Sequence, residues 1–327
     1  MSEELHKPEK HFKDIEDIIL NWIEEGTEPW EVLYLLIFAG TRFGLKYLGD
    51  DLGAVNLTLQ GTNDAISGWI QERKESEEQP TEEKEITTYP STSTDEKYYA
   101  LIIGNNNYEH LEKLDAAEND AKVLANILQD KYGFEVELLL NGDYDSTVNS
   151  LFAMTNKLKQ NDNLLIYYAG HGELDKAENR GYWLPVDANY DLRSKWISNT
   201  RIVDRIKATK AKHVLLMVDS CFSGSLTRGT TVLSGTKELG KLVTKKTRII
   251  ITSGGNEPVA DSGGEDNHSV FAYGFIKTLM EIRQATVSNS IFPKIREYVL
   301  NNANQTPEMS ILTQAGHDGG DFIFVPD

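Results

Sequence analysis

Cys221 is the only cysteine in the 327-residue chain. It follows the apolar run Val214–Val218 across just two residues, Asp219 and Ser220. Five apolar residues in a row before a small-residue loop predict a buried strand. Proteins that alternate strands and helices place their chemistry in the loop just past the C-terminal end of such a strand. Fifty positions upstream a second apolar run, Asn163–Tyr168, leads through Ala169 and Gly170 to His171 and Gly172. A thiol and an imidazole at two strand ends suggest a nucleophile and its base. A free thiol with a pKa of ~8.5 is mostly protonated at neutral pH; a neighbouring imidazole can take its proton or stand beside the thiolate as imidazolium. Gly170 and Gly172 let backbone approach a substrate with no Cβ in the way. The amides of Gly172 and Cys221 can then point at a carbonyl oxygen, where losing one donor typically costs ~10²–10³ in rate.

A lone cysteine at a strand end is ordinarily a buried structural thiol, and a lone histidine a hydrogen-bonded structural one. Here the pairing, the Gly-His-Gly setting and the spacing outweigh both readings. The other histidines are weaker bases by position. His6 and His11 lie near the start, His110 in a loop after the first strand, and His213 at the opposite end of its strand from Cys221. His268 precedes a helix, and His317 sits in a Gly-rich loop.

The elements that must hold these two loops alternate. From Tyr98 the pattern predicts strand 98–103, helix 115–131, strand 135–140, helix 146–160 and strand 163–168. After a Gly/Asp/Asn-rich excursion over 172–191 come helix 199–209, strand 213–218, strand 248–252, helices 269–283 and 288–302, and a short strand at 321–325. Asp115 with Glu118 three residues on predicts the cap of the first helix. Strands separated by helices imply a mostly parallel sheet covered on both faces. Residues 1–72 differ: Phe12, Ile15, Ile18, Ile19, Trp22 and Ile23 recur at helical steps, and Val32–Phe38 continues in kind after Pro29. A small all-α N-terminal domain that recruits a partner protein is expected there. Residues 73–96 carry almost no core-forming side chains and predict a flexible acidic and polar linker, leaving 97–327 as the main α/β domain.

The net charge is −18, of which 1–96 carries −14 and 97–327 carries −4. So acidic a front argues against direct nucleic-acid binding. The longest apolar run, Val32–Ala39, is far short of the ~20 residues that span a bilayer, so no membrane role is expected. Met1–Lys13 is charged and lacks the apolar core of a secretory leader, and one cysteine cannot form an internal disulfide; both predict a cytoplasmic protein.

These residues resemble the caspase-like cysteine peptidases (peptidase family C14), specifically the bacterial caspase homologues and metacaspases. The resemblance rests on Tyr99–Asn105, Glu118–Ala121, Tyr168–Gly172, Asp219–Gly224, Ile251–Gly255, His268–Tyr273 and Gly319–Phe324, and covers about 97–327. A histidine about 50 residues before the cysteine fits the caspase signature, although Asp219-Ser220-Cys221 stands where caspases proper carry Gln-Ala-Cys. The resemblance implies a caspase-like fold and a catalytic dyad of His171 and Cys221. It also implies acidic walls, Asp120 and Asp219, around the substrate residue before the cut. Two carboxylates there favour Arg, and less well Lys, because a guanidinium can meet carboxylates in a bidentate way. For Asp120 an exposed acid near a helix N-terminus is an equally good reading. The loop 224–247 lies where relatives cut themselves, and its Arg228 and four lysines suit such a pocket; a plain surface loop fits as well. Some metacaspases need calcium, but Asp175, Asp187 and Asp191 are too scattered to predict an oxygen cage, so no metal or cofactor is expected. The expected function is an endopeptidase acting on protein substrates after Arg or Lys, controlled through residues 1–72 and used in bacterial stress response or antiviral defence. The alternative is a catalytically silent scaffold that only binds.

Overall fold

The computed structural model describes residues 96–220, 239–255 and 263–327. The expected helical module over 1–72, all but Glu96 of the linker, Cys221 and most of the 224–247 loop lie outside the described residues. The elements are β1 (Tyr98–Gly104), α1 (Ala117–Tyr132), β2 (Glu135–Leu140), α2 (Tyr144–Lys157) and β3 (Asn163–Ala169), then β4 (Gly172–Asp175), β5 (Arg180–Trp183), β6 (Ile197–Ser198) and α3 (Asn199–Ala208). There follow β7 (His213–Asp219), α4 (Leu239–Leu242), β8 (Thr247–Thr252), α5 (Val270–Glu281), β9 (Thr286–Val287), α6 (Ser288–Asn302), β10 (Glu308–Ile311) and β11 (Ile323–Phe324).

The main sheet runs β10-β8-β7-β3-β1-β2. Five strands are parallel, and β10 lies antiparallel on the β8 edge. This is the expected mostly parallel sheet flanked by helices. The central strands are apolar throughout because helices cover both faces. Period-two alternation sends Ala100, Ile102, Leu165, Tyr167, Leu215 and Met217 into one core with α1, α5 and α6. Leu101, Ile103, Leu164, Ile166, Tyr168 and Val214 face the other way, against α2 and α3. The chain steps from β1 out to β2, then returns to place β3 on the far side of β1. The crevice between β1 and β3 is therefore a topological switch point, where the loops leaving the two strands diverge and leave room for a ligand.

Three local expectations change. The first helix starts at Ala117, with Ala116 at the cap position and no side-chain cap of its own. Asn106 does that work instead: its Oδ1 accepts from the Glu118 amide at 2.9 Å, and its Nδ2 donates to the Asp115 carbonyl at 3.0 Å. A side chain from the loop after β1 outcompetes the local Asp-x-x-Glu pattern because it satisfies both ends of the turn. The 172–191 excursion is an ordered part of the three-stranded antiparallel sheet β4-β5-β6, its Trp183 stacked on Tyr168 at 4.2 Å. The C-terminal strand is two residues long and pairs with β9, apart from the main sheet. Among the described residues, no helix is long and apolar enough to cross a membrane.

His213 lies at the N-terminal end of β7, opposite the rim where β3 ends. It is 3% exposed, with Nδ1 2.7 Å from Thr247 Oγ1 and Nε2 3.2 Å from the Val243 carbonyl. Burial, then the positive charge of Lys212, depresses its pKa from 6.5 to about 4. The folded imidazole stays neutral while the unfolded one protonates below 6.5. Its stabilising contribution is therefore present above pH 6.5 and is lost as pH falls toward 4, by about 3 kcal/mol over that window. Denaturant titrations from pH 7 to 4 should show this slope, and His213→Gln should flatten it.

Candidate active site

The β3–β7 pairing decides where the two candidate loops begin. Ala169 is the Cα partner of Asp219, at the last step of both strands. The Gly170 amide then donates to the Asp219 carbonyl at 3.3 Å, extending the ladder one residue past the strands. His171 follows at once on the β3 side. On the β7 side the description ends at Ser220, so the position of the Cys221 sulfur lies outside it.

The imidazole of His171 is half-buried and packs on the Tyr108 ring, centroids 4.5 Å apart. Its Nε2 lies 2.8 Å from the Glu112 carbonyl oxygen. A carbonyl only accepts, so Nε2 carries the proton, and Nδ1 is the acceptor of the neutral ring. Tyr108 and Glu112 both belong to the loop leaving β1, so the ring stands in the switch-point crevice.

That loop is held by asparagines. Asn141 Oδ1 accepts from the amides of Asn106 and Asn107, each at 2.9 Å. Glu118 Oε1 in turn accepts from Asn141 Nδ2 at 2.7 Å and Asn107 Nδ2 at 2.8 Å. The Asn141 bond, then that from Lys122, lowers the Glu118 pKa, so the hub stays ionised.

Two tyrosine hydroxyls close a circuit around the His171 backbone. The His171 amide donates to Tyr108 Oη at 2.7 Å, and Tyr168 Oη donates to the His171 carbonyl at 2.7 Å. The two hydroxyls bond to one another. Tyr168 Oη also lies 3.1 Å from the Leu184 carbonyl. A Cβ on Gly170 would sit 2.6 Å from one hydroxyl and 2.9 Å from the other, so glycine is required there. The His171 carbonyl also accepts from the Leu184 amide at 3.0 Å. There are no cis peptides among the described residues, and in a trans unit the C=O and the following N–H point opposite ways. The Gly172 N–H is thereby aimed away from β5, off the edge of β4 that has no partner strand among the described residues.

The two acids meet at one residue. Asp219 continues the alternation of Leu215 and Met217 toward α5, and its Oδ2 accepts from Ser269 Oγ at 2.5 Å. Asp120, in the first turn of α1, accepts from the Ser269 amide at 3.3 Å and lies 2.5 Å from His268 Nδ1. Asp120 is 1% exposed and Asp219 6%. The alternative of an exposed Asp120 is thus overturned, because α5 covers it. Burial raises the Asp120 carboxyl above the usual range, against the opposing pull of His268 and Ser269. Burial, and then the charges of Asp219 and Asp120, raise the pKa of the Tyr167 hydroxyl.

The caspase-domain family model of peptidase C14 matches residues 97–315. The chain belongs to the caspase-domain family. Solved structures similar to it include protein GSU0716 from Geobacter sulfurreducens, at 17% identity and TM-score 0.49, covering 65% of this chain and 92% of that one. Caspase-1 from Spodoptera frugiperda is similar at 15% identity and TM-score 0.49, covering 67% and 88%. None of the curated proteins matches the chain.

Within this caspase domain, sequence reasoning had no signal for Glu112, which acts through its carbonyl, or for Asn141, which lies far along the chain from the loop it braces. Ser269 was visible as part of a motif but had no role until it was seen between two acids. Among the described residues no group of three or more His, Cys, Asp or Glu could hold a metal ion. Asp175 binds Arg193 and its own turn amides, and Asp187 binds Lys195 at 3.0 Å and the Tyr144 amide at 2.8 Å.

Because the tyrosines act as one circuit, Tyr108→Phe and Tyr168→Phe should each cost about 1 kcal/mol of stability. The double variant should lose less than their sum by at least ~0.5 kcal/mol in urea unfolding.

Proposed function

We propose that the protein is a cysteine endopeptidase that uses His171 and Cys221 and cleaves partner proteins after Arg, and less well after Lys. The observation that carries this is the bonded end of β3 and β7. Cys221 follows Asp219 by two residues, and two residues of chain span at most ~7 Å. His171 Nδ1 takes the thiol proton, and the thiolate attacks the scissile carbonyl carbon. The bond from Nε2–H to the Glu112 carbonyl strengthens as the ring becomes cationic, and it keeps the ring oriented. The oxyanion is met by the Gly172 amide, aimed by its locked peptide plane, and by the Cys221 amide. The imidazolium then protonates the leaving amine, and water hydrolyses the thioester.

Asp120 and Asp219 supply the negative charge for the residue before the cut. A buried carboxylate pair gains most from a cation that brings its own hydrogen bonds, which favours guanidinium over ammonium. Residues 1–72 are proposed as a helical module through which a partner protein controls the peptidase, joined by the acidic linker 73–96. The setting is proposed to be the cytoplasm, in stress or defence responses, with no cofactor or metal. The 224–247 loop, with Arg228 and its lysines, is proposed as a self-cleavage site.

Fluorogenic peptides ending in Arg, Lys or Asp test the reading. Wild type should turn over Arg best, Cys221→Ala and His171→Ala should each lose at least ~10³ in kcat/KM, and Asp219→Asn should abolish Arg turnover. On a gel, wild type should fragment within 224–247 and Cys221→Ala should stay whole. Preference for Asp peptides, or full activity in Cys221→Ala, would sink it.

A further inference from the structure

Ser269 stands at the cap of α5 and makes three bonds with two groups. Its Oγ accepts from the Ala272 amide at 2.9 Å, as a helix cap does. The same oxygen donates its only proton to Asp219 Oδ2 at 2.5 Å, while its amide donates to Asp120 Oδ2 at 3.3 Å. His268, one residue earlier, holds the other Asp120 oxygen from Nδ1 at 2.5 Å. Ser269 is 3% exposed and His268 4%, so water does not compete for these bonds. A helix cap needs only the first of them. The other bonds fix how two acids, 99 positions apart in the chain, present their oxygens. The partial positive charge of a helix N-terminus also offsets part of the cost of keeping two carboxylates close together.

We infer that Ser269, with His268, is the specificity-positioning element of the caspase domain: it clamps Asp120 and Asp219 in one register, so that the pair distinguishes a planar guanidinium from an ammonium or a neutral side chain. This rests on the proposed Arg pocket and goes beyond it, because it assigns the discrimination to a residue that need not touch substrate. Loss of the clamp leaves both charges in place but lets the carboxylates rotate apart. A compact ammonium, which needs no fixed pair of oxygens, loses little by that; a planar fork loses its bidentate match.

The test compares kcat/KM for peptides that differ only in carrying Arg, Lys or citrulline before the cut, citrulline being the neutral isostere of Arg. Ser269→Gly is the main variant, since glycine at a helix cap costs only a few tenths of a kcal/mol against serine and should leave the domain folded. The Arg:Lys and Arg:citrulline ratios should each fall about tenfold, with Lys turnover nearly unchanged and the Arg loss mainly in KM. Ser269→Thr, which keeps a hydroxyl, should restore both ratios. Equal losses on Arg and Lys would reduce Ser269 to a structural cap and overturn the inference. So would wild-type ratios in Ser269→Gly. If wild type itself shows no preference for Arg, the pocket reading fails first and takes this inference with it; the wild-type ratios separate that case from failure of the clamp alone.

Discussion

The parallel pairing of β3 with β7 is the constraint on which the rest of the molecule depends. A shift of that register by one residue would turn Asp219 away from α5 and break the Gly170 bond to its carbonyl. The shift is prevented because both strands are buried on both faces, with Leu164–Ala169 and Val214–Val218 filling two separate cores. Hydrophobic packing on either side of the sheet thus sets the placement of polar groups at its rim. The caspase domain converts a non-directional force, apolar burial, into a directional arrangement of imidazole, amide and carboxylate.

Around that register lie two hydrogen-bonded assemblies of different character. One is neutral and local: the tyrosine circuit that grips the His171 peptide on both sides. The other is charged and long-range: two acids drawn from α1 and β7 to the start of α5. The neutral circuit resists rotation of a peptide plane. The charged one holds like charges together, which costs free energy unless the helix terminus and His268 offset it. Burial still raises the Asp120 carboxyl, so the offset is incomplete.

Much of the fold was legible because apolar periodicity reports burial directly. The strands over 135–140 and 213–218 and the helix over 288–302 emerge within a residue of where they were expected. The antiparallel strands β4–β6 and β10 were not legible. They are two to four residues long, too short for a period to show, and exist only because tertiary neighbours accept their hydrogen bonds. The same distinction applies at the candidate site. His171 and Asp219 stand out by type and place in a motif. Glu112 works through a backbone atom that every residue possesses, and no side-chain pattern can reveal it.

The chain between β1 and α1 has a consequence for how such a domain can diversify. Asn106 caps the helix at one end of this crossing, Asn141 pins its start, and Glu112 near its far end steadies the imidazole. It lies at a rim where surface segments usually vary freely in length, yet here it has no slack. An inserted or deleted residue would pull the carbonyl off the ring and uncap the helix together. A change in chain length here should therefore be felt at the helix and at the imidazole at once.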